Sequence, residues 1–134
     1  MSKASKTMRL NPTEKLFSIL MFIGMFIWLG GAFIRSHYTG GDPVTAFLLG
    51  VAPNFGVVWI LAGIFVIYYK VIKKKSLEPK YFYWLIAGIL FFLLIAEVWH
   101  EMFMNSSFDI WDIVASLIAS AIWLFSYYFV KNKD

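Results

Sequence analysis

The stretch Ala46–Tyr69, AFLLGVAPNFGVVWILAGIFVIYY, runs for 24 residues without a charge. An α-helix crosses the hydrocarbon core of a bilayer with about 20 predominantly apolar residues, so this run alone places the chain in a membrane. Three further stretches have the same character: Leu16–Phe33 carries no charge, Tyr81–Val98 only Glu97 near its end, and Asp112–Val130 only Asp112 at its start. Backbone polar groups in lipid must be satisfied internally, which leaves helices or a closed barrel. A barrel needs short segments of alternating polarity, and these runs are apolar on every side. The sequence therefore predicts an all-α integral membrane protein with four transmembrane helices in one membrane domain, residues 1–134.

Composition agrees. Of 134 residues, 60% are apolar, 20% aromatic and only 15% charged, and the mean hydropathy is +0.71. A soluble domain carries about 25% charged residues, so a water-facing enzyme is excluded, and the abundance of Leu, Ile, Val and Phe excludes a disordered chain. With no cysteine, disulfides, thiolate metal sites and cysteine nucleophiles are excluded as well.

The expected order is a cytoplasmic tail (1–15), a first span (16–33), an outer loop (34–45), a second span (46–69), a Lys-rich cytoplasmic loop (70–80), a third span (81–98), an outer acidic loop (99–111), a fourth span (112–130) and a cytoplasmic tail (131–134). Pro53 removes a backbone donor and biases Ala52 away from helix. A break or kink at 52–53 is expected, either as one bent helix or as a short segment 45–51 ahead of a span from Asn54. The first span, with Gly30-Gly31-Ala32 at its end, is longer than the hydrophobic part of a signal peptide and is expected to be retained.

Orientation follows from the cations. Eleven of the twelve Lys and Arg residues fall in the tails and the 70–80 loop; only Arg35 lies on the other side. Eleven cations against Glu14, Glu78 and Asp134 give +8 on that side. Arg35 against Asp42, Glu97, Glu101, Asp109 and Asp112 gives −4 opposite. The positive-inside rule predicts N-in, C-in, and the basic character reads as topology and lipid contact with no nucleic-acid partner. Tyr68, Tyr69, Tyr81, Tyr83, Trp84, Tyr127 and Tyr128 fall near the inner interface, and Trp99 and Trp111 near the outer one, as interfacial belts do.

The chemistry is concentrated in residues 97–120. Glu97, His100 and Glu101 are spaced to share a helical face, as are Asp109, Asp112 and Ser116, and a short turn joins the two helices. Ionisable groups at a membrane boundary are functional candidates, and crowded carboxylates recruit a cation, a proton or a basic partner. Competing readings are structural: Asp109 as a helix cap, with Ser106-x-x-Asp109 resembling a capping box, and His100 and Glu101 as solvated loop residues. Arg35 is either a snorkelling helix-end residue, a partner for Glu97 or Asp112, or a clamp for an anionic headgroup. Glu97-x-x-His100 has the spacing seen in carboxylate-bridged bundles but lacks the second such motif, so neither metal nor cofactor is expected. Ala115/Ala119 and Ser116/Ser120 form a small-residue face for packing within the chain or in an oligomer.

The run from Glu97 to Ser116, EVWHEMFMNSSFDIWDIVAS, resembles the signature of the VanZ-like family of small bacterial membrane proteins. That signature has a Glu at the end of one span, an Arg-x-Phe-Asp-x-x-Asp turn, and an Asn four residues later. Glu97, Phe108, Asp109 and Asp112 match without a gap. His100 stands where Gln is common, Ser106 replaces the Arg, Ser116 the Asn and Ala119 a Gly. Pro53-Asn54-Phe55 also resembles a family pattern. The specific match covers about 24 residues. The resemblance implies a multi-pass protein of the bacterial plasma membrane, linked to glycopeptide resistance and to teicoplanin in particular.

The expected function is therefore non-enzymatic: an outward-facing acidic pocket of Glu97, Asp109 and Asp112, flanked by Ser116, Arg35, His100 and Glu101. It would bind a membrane-lipid headgroup, a glycolipid or lipid-linked envelope precursor, or a glycopeptide. The alternatives are a small proton- or cation-coupled transporter or flippase, whose polar path would have only Asn54, Ser18, Ser116, Ser120 and Ser126 at depth, and an accessory subunit of a membrane complex.

Overall fold

The computed structural model describes residues 9–105 and 107–132. It contains four α-helices, α1 (Pro12–His37), α2 (Pro43–Lys73), α3 (Phe82–Phe103) and α4 (Ile110–Lys131), with a 3-10 turn at Pro79–Tyr81 leading into α3. All four are long and apolar enough to cross a membrane, as a multi-pass membrane protein requires. Each outruns its apolar stretch because polar residues build the ends. Asn11 caps α1 in a reciprocal capping box with Glu14, Asp42 caps α2 through the Thr45 N–H, and Asp109 caps α4 through the Trp111 N–H. The Thr45 hydroxyl and N–H also hold the Asp42 carboxyl below its ordinary range.

Pairing of successive helices alternates in direction. Gly24 of α1 meets Gly56 of α2, Gly31 meets Ala52, and Gly63 meets Met21 and Phe17, so α1 and α2 run antiparallel. The approach is backbone to backbone: a Cβ at Gly24 would stand 2.7 Å from the Gly56 carbonyl oxygen, and one at Gly56 would stand 2.6 Å from the Gly24 oxygen. Lipid supplies no hydrophobic force between helices, so close van der Waals contact at small residues supplies the association.

Helix α4 lies along α2. The Trp59 Nε1–H donates to the Ala119 carbonyl at 2.8 Å in a buried contact, and Ala115, Ser116, Ala119 and Ser120 are all buried. The small-residue face of α4 is thus taken up inside the chain. Its hydroxyls turn inward on the helix backbone, Ser116 to the Asp112 carbonyl and Ser120 to the Ser116 carbonyl. Nearer the lysine-rich end, Phe17 stacks on Trp123 with ring centroids 3.9 Å apart, and Phe82 meets both edge-on. This cluster joins α1, α3 and α4, and aromatic pairs of this kind contribute about 0.5–1.5 kcal/mol each beyond their burial.

The remainder of α3 is loosely held. Its buried residues, Phe82, Ile86 and Ile89, all lie in the half nearer the lysine-rich end, while Phe91, Phe92, Leu94 and Ile95 face outward. Such exposed apolar rows, matched by Phe22 and Phe26 on α1, are what a lipid-facing surface presents.

Two expectations change. Helix α2 runs without interruption through Pro53, so there is no separate segment 45–51. Proline forfeits one helix hydrogen bond, to the Leu49 carbonyl, and the packing of this stretch on α1 and α4 keeps the rest. Helix α3 also continues five residues past Val98, which puts Trp99, His100 and Glu101 on its last turns and out of the loop.

The glycine contact makes opposite predictions for two positions on α1. Gly24→Ala should destabilise by about 1–3 kcal/mol, the ordinary cost of overpacking. Gly30, where an added Cβ meets nothing within 4 Å, should tolerate Ala and gain up to about 1 kcal/mol of helix propensity. Thermal unfolding in detergent micelles distinguishes the two.

Candidate functional site

At the acidic end, α3 and α4 are joined by residues 104–109, and Asn105 turns the chain at a φ of 51°, a conformation that Asn tolerates better than most residues. The turn brings Glu97 back over the start of α4, where its Oε1 accepts the Asp109 N–H at 3.1 Å. Asp109 in turn accepts the Trp111 N–H at 2.9 Å. Two of the unpaired donors at this helix N-terminus are therefore met by carboxylates, which also suits the positive end of the helix dipole.

Asp112 lies one turn deeper. Its carboxylate faces the Asn54 side chain on α2, within electrostatic reach of Asp109, Glu97 and Arg35. Asn54 also offers its carbonyl to the buried Ser116 hydroxyl at 3.4 Å, so α2 contributes to the site at the residue after Pro53. Phe47 and Trp111 meet edge-on at 5.6 Å beside it and join the starts of α2 and α4.

The structure thus brings together Glu97, Asp109, Asp112 and Asn54, with Ser116 beneath them. Glu97 and Asp112 are partly covered and Asp109 is exposed, so the cluster is an open rim in place of an enclosed pocket. His100 and Glu101 are exposed on α3 and make no side-chain hydrogen bond or ion pair among the described residues. Arg35 sits exposed in the last turn of α1. It forms no ion pair among the described residues, where the pairs are Glu14–Lys70 and Glu78–Lys80; of the three readings of Arg35, the one that pairs it with Glu97 or Asp112 has no direct contact here, and Glu97 accepts the Asp109 N–H instead. Asp109 itself occupies the N-cap, and Ser106, the other half of the expected capping box, lies outside the described residues. Among the described residues no three His, Asp or Glu side chains stand close enough to share a metal ion.

A second polar cluster, at the lysine-rich end, escaped the sequence reading. Glu14 is buried, and its Oε2 takes both the Lys70 ammonium and the Asn11 N–H. Lys70 also donates to the Arg9 carbonyl at 2.8 Å, and the Asn11 amide donates to the Ser76 hydroxyl at 3.2 Å. These contacts fasten the start of α1 to the end of α2 and the loop beyond it. The pattern Asn11-x-x-Glu14 ahead of an apolar run is a capping-box signature and marks the helix start; nothing local marks Lys70 as the partner.

Comparison of the chain with protein-family models, curated proteins and solved structures finds no match.

The buried ion pair yields a sign test. Glu14→Ala leaves the Lys70 charge covered and unpaired, for which the usual cost is about 3–5 kcal/mol. Replacing both partners, Glu14→Ala with Lys70→Met, should cost less than Glu14→Ala alone. Unfolding midpoints of the single and double variants in one detergent give the comparison.

Proposed function

We propose that the chain is a VanZ-like protein of a bacterial plasma membrane, oriented N-in and C-in, that binds an envelope ligand at an outward-facing acidic rim. The orientation is supported by the separation of charge along the sequence, eleven cations in the tails and the 70–80 loop against five carboxylates in or beside the two loops between them. Pro53 is proposed to bend α2 just where Asn54 is delivered to the rim.

The single observation that carries the binding role is the convergence of Glu97, Asp109 and Asp112 from two helices onto one rim, with Asn54 from a third. Capping accounts for Asp109. It accounts less well for Asp112, a turn inside α4 and partly covered. Three carboxylates beside one guanidinium favour a ligand that offers an ammonium group together with neutral hydrogen-bond donors. Aminated lipid headgroups, lipid-linked cell-wall precursors and glycopeptides all have that chemistry, and the resemblance of residues 97–116 to the VanZ-like signature favours the last two. The transporter reading has less support, because the hydroxyls of Ser116, Ser120 and Ser126 are bonded to carbonyls of their own helix and offer a weak polar path.

The test is binding of teicoplanin, and separately of a lipid-linked cell-wall precursor, to the protein in nanodiscs. One of the two should bind, and Glu97→Gln and Asp112→Asn should each weaken it by tenfold or more, the scale of a charge-assisted contact worth about 1.5–3 kcal/mol. Asp109→Asn should be milder, since Asn is a competent cap. The Glu97→Gln, Asp112→Asn double variant should be little worse than either single one, because residues serving one site are not additive. Binding in both single variants at the wild-type level would reduce the rim to helix-end electrostatics.

A further inference from the structure

A groove of about 590 Å³ opens between α2 and α3 at the lysine-rich end. Phe65 and Tyr69 form one wall, Leu85, Gly88 and Ile89 the other, and the connection between the helices closes one end with Lys75 at its edge. It exists because α3 is held to the bundle by few buried side chains, and because Gly88 presents no side chain to fill the space: a Cβ there would meet nothing within 4 Å.

Three observations say what fits. The first is depth. From Tyr81 to Ile89 a helix rises about 12 Å, close to the half-thickness, about 15 Å, of a hydrocarbon core. The groove therefore spans one leaflet and opens sideways into it. The second is width. Spread over that depth, the volume gives a cross-section of roughly 50 Å², too narrow for a helix about 10–12 Å across and open enough for extended acyl chains. The third is charge. Glu78 at the rim is paired with Lys80 at 2.9 Å, and Lys80 and Lys75 together hold its carboxyl below the ordinary range. Lys75 has no carboxylate within 4 Å among the described residues, and Lys73 and Lys74 precede it in the chain. Lys73, Lys74, Lys75 and Lys80 against Glu78 make this connection net basic where a headgroup would lie.

We propose that this groove is a binding site for one anionic phospholipid, with its acyl chains along Phe65, Gly88 and Ile89 and its phosphate on Lys75. The site is separate from the acidic rim at the far end of the bundle and does not depend on any ligand there. A lipid seated here fills the gap beside α3 and bridges it to α2.

The experiment uses the full chain in phosphatidylcholine vesicles doped with phosphatidylglycerol or phosphatidylcholine carrying a diazirine on the acyl chain, at equal mole fractions. After photolysis the label is mapped by peptide mass spectrometry. Phosphatidylglycerol should label residues 65–69 and 84–89 with about a fivefold higher yield than phosphatidylcholine, the preference one lysine confers at a lipid surface. Lys75→Gln should bring the two yields together. Gly88→Leu should fill the groove and remove the label from both segments while leaving the unfolding midpoint in place. Equal labelling by the two lipids in the wild-type chain would overturn the proposal, as would unchanged labelling in Gly88→Leu or the absence of label from residues 65–69 and 84–89 with either lipid, which would mean that a second copy covers the groove.

Discussion

Everything in this bundle is referred to the glycine contact between α1 and α2. Within lipid, burying a leucine against another leucine gains little over burying it against an acyl chain, so helices must find close surface contact instead. Gly24 and Gly56 supply it by letting two backbones meet where even a methyl group has no room. Gly31 and Gly63 extend the contact one heptad to either side, each seven residues from its neighbour, so the same face of each helix returns to the seam. The Glu14–Lys70 pair then fixes the register at the lysine-rich end. Once these two helices are set, α4 has a prepared surface: Trp59 reaches the Ala119 carbonyl, and Asn54 meets Ser116.

The acidic rim is a consequence of that order. Asn54 reaches Asp112 only because α4 lies in register along α2, and α2 is placed by α1. Glu97 comes from α3, the least buried helix, and its bond to the Asp109 N–H links the α3 and α4 ends at this side of the molecule. The carboxylate holds the hairpin closed. A cationic ligand of the kind proposed above would draw on the same oxygens and so compete with that bond.

The four spans were legible because the bilayer imposes a length and a hydropathy that no soluble helix needs. The uncharged run at Ala46–Tyr69 could belong to little else. The small-residue face at Ala115–Ser120 and the cap at Asp109 were legible for the same kind of local reason. What was not legible depends on partners distant in the chain. Pro53 marks a lost hydrogen bond, but whether the helix breaks there depends on contacts with α1 and α4, and they hold it whole. Arg35 is the single Lys or Arg on its side of the expected topology, yet its ion-pairing depends on a side-chain geometry that spacing does not contain. Glu14 announces a capping box in four residues, while its burial against Lys70, 56 positions away, is a fact of tertiary structure. The use of the glycines as a contact surface appears only once the helices are paired.

The pairing of α1 with α2 is the claim on which the rest stands, and the absence of native cysteine makes it directly measurable. A Cβ at Gly31 would lie 3.2 Å from the Ala52 Cβ, near the usual range of about 3.5–4.5 Å across a disulfide. The double variant Gly31→Cys, Ala52→Cys should oxidise rapidly in the membrane to an intramolecular disulfide, read as a reductant-sensitive mobility shift of the monomer and confirmed by mass spectrometry of the joined peptides. Gly30→Cys with Ala52→Cys should remain reduced. A disulfide that forms at position 30 as readily as at 31, or one that appears only between chains, would contradict the antiparallel seam and with it the placement of the rim.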